Sequence, residues 1–96
     1  MNKHEFESIL RDALERTGKH LAERPDFQPL ISIQRQLEYL IKFNAGQADS
    51  SRLKDIIVGI QAVREIKGWD DVLAHLLYKI DTEVDRLKLA EELRNA

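Results

Sequence analysis

Residues 53–66 run Leu53-Lys54-Asp55-Ile56-Ile57-Val58-Gly59-Ile60-Gln61-Ala62-Val63-Arg64-Glu65-Ile66, and whether they form a strand or a helix separates a mixed fold from an all-helical one. By propensity alone the centre, Ile56 to Ile60, is a buried strand, because β-branched side chains suit a pleated surface. However, Leu53, Ile56, Ile57, Ile60 and Val63 recur at helical spacing over a stretch longer than most strands. Gly68 follows where a helix C-cap belongs. The segment is therefore expected to be a helix. Gly59, Ala62 and Ile66 lie together on its other side, small or apolar, so a neighbouring helix can come close. Apolar on both sides, it is expected to be central and buried nearly all round.

Three more segments show the same periodicity, punctuated where helix ends belong. The first runs from about Asn2, a cap residue, to Glu23, with Phe6, Ile9, Leu10, Ala13, Leu14, Thr17 and Leu21 on one face and Pro25 closing it. The second is expected to be capped by Asp26, with Pro29 early enough that its missing N–H costs little. Its core stripe is Leu30, Ile33, Leu37, Leu40 and Ile41. An open loop from Asn44 to Asp49 leads to a cap at Ser50 or Ser51. The fourth helix opens at Asp70 or Asp71, where negative charge favours the positive end of the helix dipole. Its stripe is Leu73, Leu76, Leu77, Ile80, Val84 and Leu87. Short connections between four amphipathic helices predict an all-α, compact antiparallel bundle.

The 96 residues suffice for one domain, spanning 1–96, and are too few for two. Hydrophobic residues at 43% and charged residues at 33% support a packed core under a solvated surface. Fifteen Lys and Arg against 17 Asp and Glu, interspersed, argue against a nucleic-acid partner, which needs clustered basic charge. With no cysteine there is no disulfide or thiolate metal site. The first residues carry acids where a secretory signal needs an apolar run, and no run approaches the roughly 20 residues of a membrane span. A cytoplasmic protein without membrane contact is expected.

Chemistry is sparse. His4, His20 and His75 are isolated, and the nearest approach to a ligand pair, Asp71 with His75, lacks the third and fourth donors a metal needs. Single glycines exclude a phosphate-cradling loop. The carboxylate pairs read as solvated charge. No catalytic, metal or cofactor-binding residue is expected, and the chain is read as a non-enzyme.

A binding surface is better supported. On the second helix Ser32, Arg35, Gln36, Tyr39 and Phe43 share a side roughly opposite its core stripe, with two aromatic residues beside an arginine, a hot-spot composition. Either this side meets a partner or its rings pack inside the bundle. On the fourth helix Tyr78 lies near Ala74, Asp81 and Asp85, away from the stripe. Trp69 is expected in the core.

The sequence Arg24-Pro25-Asp26-Phe27, then Leu30, Ser32 and Gln36-Leu37-Glu38-Tyr39-Leu40, followed by Gly59-Ile60-Gln61-Ala62-Val63-Arg64-Glu65, resembles the small helical immunity proteins that guard bacteria against type VI secretion effectors degrading NAD and NADP. The resemblance spans about residues 20–88, and the loop Asn44 to Ser51 departs from it. It implies a stoichiometric inhibitor that binds the catalytic domain of a cognate toxin and blocks its active site. The matched motifs and the aromatic side nominate Asp26, Ser32, Arg35, Gln36, Glu38, Tyr39, Phe43, Arg64, Glu65, Asp70 and Asp71 as partner-binding residues. The competing readings are a helical adaptor or self-associating bundle, allowing weak homo-oligomers, and a small enzyme assembled from scattered acids and histidines.

Overall fold

The structure is a computed structural model describing residues 1–95. It is an all-α bundle of α1 (Lys3–Glu23), α2 (Gln28–Asn44), a 3-10 helix (Ser50–Asp55), a short α3 (Val58–Gln61) that widens into a π turn (Ala62–Ile66), and α4 (Asp71–Arg94). Asn2 caps α1 as expected: its Oδ1 accepts from the Glu5 amide at 2.8 Å, while its Nδ2 donates to the Glu5 carboxylate at 2.7 Å. One orphan first-turn amide is thus satisfied.

Two ties set the directions of the long helices. Asn44, closing α2, donates to the carbonyl of Lys3, opening α1, so these helices run antiparallel. Arg16 and His20, late in α1, reach Asp70 at the start of α4, while the amino group of Met1 lies 3.8 Å from Glu83. Helix α1 is therefore antiparallel to α4 as well and sits between α2 and α4. Phe6, Leu10 and Ala13 of α1, Leu30, Ile33, Leu37 and Leu40 of α2, and Leu73, Leu77, Ile80 and Val84 of α4 fill the core. Burying each large aliphatic side chain contributes about 1.5–3 kcal/mol. The two buried polar residues are satisfied: Thr17 donates to the Ala13 carbonyl at 2.7 Å, and Glu83 takes two bonds from Arg86.

The third segment departs from expectation. It is not one helix but breaks at Ile56 and Ile57 between the 3-10 turn and α3, where Ile56 is extended (φ −77°, ψ 121°) and Ile57 is neither helical nor extended (φ −130°, ψ 20°). Consecutive β-branched residues crowd a helical turn, and the strand propensity is expressed here only in the extended Ile56. Nor is α3 buried all round. Its inner side is Val58, Gly59, Ala62 and Ile66, whereas Ile57, Ile60 and Val63, expected in the core, are 45%, 57% and 58% exposed. The small residues decide which side packs. The Gly59 Cα lies so close to α4 that a Cβ there would stand 2.5 Å from Asp81 Cγ. Helix α4 accordingly buries Ala74, packs the partly buried Tyr78 against the core and sets Asp81 against Gly59 of α3.

Other local expectations are also corrected. Phe27, not Asp26, is the N-cap of α2: its carbonyl accepts from Leu30 and Ile31, and its ring packs against the core. Asp49, not Ser50 or Ser51, caps the 3-10 helix through the Ser51 amide. Trp69 is 41% exposed, because Gly68 adopts φ +85° and turns the chain so that the indole lies on an outer corner. Asp71 accepts from the Gly68 amide at 2.7 Å instead of pairing with His75.

Candidate functional site

Ile57, Ile60 and Val63 form an exposed aliphatic strip that runs from the N-cap of α3 into its π turn. Beneath it lies a polar brace from α2. Gln36 Oε1 accepts the Ile57 amide at 2.7 Å, Gln36 Nε2 donates to Gln61 Oε1 at 2.7 Å and to Ser32 Oγ at 3.1 Å, and Gln61 Nε2 returns to Ser32 Oγ at 3.1 Å. The Ile57 amide, an orphan first-turn donor of a helix with no side-chain cap of its own, is thereby satisfied. From the opposite side the Asp81 carboxylate packs on Gly59. Burial, helped by the nearby Asp85, pushes the Asp81 carboxyl above the usual carboxylate range. The π turn, closed by the Lys67 amide on the Ala62 carbonyl at 2.8 Å, returns Ile66 to the core and leaves Val63, Arg64 and Glu65 outside. Such turns are frequent at functional sites.

The nominated residues divide into three groups. Ser32 and Gln36 are bracing residues; exposed Arg35 adjoins Gln36 on α2, exposed Arg64 and Glu65 follow Val63 on the π turn, and exposed Glu38 lies on the side of α2 away from the brace. Tyr39 and Phe43 follow the packed reading. Their rings stack with centroids 6.3 Å apart against the core, and the Tyr39 hydroxyl donates to the Asp49 carbonyl at 2.6 Å, fixing the 44–49 loop. Burial raises the Tyr39 hydroxyl above its ordinary value, against the lowering influence of the Arg52 amide.

Asp26, Asp70 and Asp71 lie instead at the Trp69 corner. There His20 stacks on Trp69 at 4.3 Å, Phe27 meets it edge-on at 6.3 Å, and the Arg24 guanidinium covers both rings at 4.2 and 5.2 Å. Asp70 accepts from the Leu73 amide, His20 at 2.7 Å and Arg16 at 3.2 Å. Burial opposes its charge, but His20, the Leu73 amide and Arg16 outweigh that and hold its carboxyl below the usual range. Sequence reasoning missed the Ile57, Ile60 and Val63 strip. Its signal was present in Gly59 and Ala62, which mark the side of closest approach and so place the large aliphatics outward.

Among the described residues no group of three or more His, Cys, Asp or Glu is placed to hold a metal ion, and no helix is long and apolar enough to cross a membrane. What the geometry defines is a helical scaffold presenting a braced, preformed apolar face. The sequence matches the Tsi6 family over residues 5–86, from the first turn of α1 to the last third of α4, and the chain belongs to this family of type VI secretion immunity proteins. No curated protein and no solved structure matches it. An immunity protein acts by binding a cognate effector toxin, a role that needs no chemistry of its own.

Proposed function

We propose that this chain neutralises its effector in the cytoplasm by laying the α2–α3 face over the catalytic domain and closing the active site, and that the effector consumes NAD, NADP or a related nucleotide. The observation that carries the reading is the exposed Ile57, Ile60 and Val63 strip on a helix whose polar groups are already satisfied beneath it. An apolar strip held in one conformation is costly to leave in water and loses little entropy on docking, the combination that supports tight association. Arg35 and Arg64 border it, and the Trp69 corner with Asp26, Asp70 and Asp71 is the second contact. The C-terminal part of α4, with Leu89 and Leu93 one turn apart and 56% and 69% exposed, favours weak self-association as a secondary property.

The test is calorimetric binding to the catalytic domain of the effector, together with that domain's nucleotide consumption. Wild type binds one to one and stops turnover. Ile60→Asp and Val63→Asp lose binding by at least about 2 kcal/mol, the scale of a hot spot, with an unchanged thermal midpoint because both side chains are outside the core. Full protection by both variants would remove this face from the complex.

A further inference from the structure

Charge is distributed unevenly over this molecule in a way the fold makes meaningful. Residues 28–67, which supply α2 and α3, carry six Lys and Arg against four Asp and Glu, while the rest of the chain carries nine against thirteen. Outside that segment five of the nine cations, Arg11, Arg16, Lys19, Arg86 and Arg94, pair with a carboxylate. Within it, none of the six cations makes an ion pair among the described residues. Arg35 immediately precedes the bracing Gln36, and Arg64 lies one turn beyond Ile60, so two free guanidiniums border the aliphatic strip.

We propose that the partner surface received by the α2–α3 face is acidic, an apolar patch bordered by carboxylates that engage Arg35 and Arg64. This rests on the inhibitory-complex reading above. Covering the strip removes water from the arginines beside it, and a desolvated cation without a counter-charge is strongly unfavourable. A neutral or basic partner incurs that cost in full. An acidic one offsets it with bidentate hydrogen bonds, which guanidinium geometry favours. The acids of the segment do not supply this neutralisation themselves: Glu38, Asp55 and Glu65 are exposed and form no ion pair among the described residues, and Asp49 is engaged by Ser51. A nucleic acid is the less favoured polyanion, because the strip offers aliphatic groups where stacking platforms are needed and the basic excess is small.

The experiment measures association and dissociation rates with the effector catalytic domain between about 50 and about 500 mM NaCl, using wild type, Arg35→Glu, Arg64→Glu and, as a control on α1, Lys19→Glu. The expected result is an association rate that falls about tenfold or more with salt. Each arginine reversal slows association several-fold at low salt, and Lys19→Glu stays within about twofold of wild type. A complex whose association is insensitive both to salt and to the arginine reversals overturns the acidic-partner proposal and leaves the immunity reading standing. Absence of any complex with the wild-type chain overturns the reading itself and the proposal with it. Binding of a single-stranded oligonucleotide that Arg64→Glu abolishes assigns the face to nucleic acid and likewise overturns the proposal.

Discussion

Replacing Gly59 with alanine tests whether close approach to α4 is what turns the aliphatic side of α3 outward. The new Cβ would stand 2.5 Å from Asp81 Cγ and 2.6 and 2.9 Å from its two oxygens, well inside the roughly 3.5 Å optimum for non-bonded atoms. Asp81 is short and sits on a helix, where side-chain rotamers are restricted, so either its carboxylate leaves this position or α3 lifts away. Overpacking of this kind costs about 1–3 kcal/mol. Alanine's helix preference returns at most about 1 kcal/mol, and Gly59 does not have a positive φ that would add backbone strain. A net loss of about 1–2 kcal/mol lowers the melting midpoint by about 4–16 °C at this chain length. The assay is urea and thermal unfolding of Gly59→Ala, Asp81→Ala and the double variant. With the Asp81 carboxylate gone the clash is gone, so Gly59→Ala becomes neutral or mildly stabilising in that background. An equal cost in both backgrounds, or a gain in the wild-type background, refutes the packing argument.

Removing the brace with Gln36→Ala leaves the Ile57 amide without its acceptor and Gln61 Oε1 without its donor and costs about 1–3 kcal/mol; amide exchange at Ile57 accelerates before global unfolding, and unchanged exchange there counts against the brace. The two perturbed aspartates give opposite pH behaviour. Asp70 has a lowered carboxyl pKa, so its ion-pair stabilisation is fully present above the unfolded value and is lost as pH falls through the folded one. Asp70→Asn, which keeps a capping oxygen, therefore weakens the protein at pH 7 and has little effect once Asp70 is protonated. Asp81 has a raised pKa, so its charge opposes folding at pH 7 and that opposition fades as pH falls from the raised value toward the unfolded one. Asp81→Asn is accordingly more stable at neutral pH, with a gain that disappears in acid; urea midpoints across pH report both.

The long helices were legible because their periodicity is one-sided: Leu30, Ile33, Leu37 and Leu40 leave no second choice of face, and all four are buried. The third segment is apolar on two sides, and periodicity cannot rank them. Contact distance ranks them, with Gly59 and Ala62 packing inward because they are small. Trp69 was misplaced for a related reason, since bulk suggests burial while the positive φ at Gly68 sets the direction of the chain. Ser32, Arg35, Gln36, Tyr39 and Phe43 share one side of α2, but only three-dimensional contacts separate Gln36, which braces, and Tyr39, which pins a loop, from Arg35, which is free. Asp70 was legible as a helix opener, while its bonds to Arg16 and His20, some fifty residues upstream, depend on α1 lying against α4.

The division of labour along residues 57–66 bears on how such a protein changes allegiance. Val58, Gly59, Ala62 and Ile66 belong to the interior, whereas Ile57, Ile60, Val63, Arg64 and Glu65, interleaved with them, carry no share of it. A lineage under pressure from a drifting toxin can therefore rewrite every outward letter of this short stretch one substitution at a time, each step nearly silent for folding. On the proposed binding mode, recognition is then free to evolve at the pace of its adversary while the scaffold that displays it stays the same.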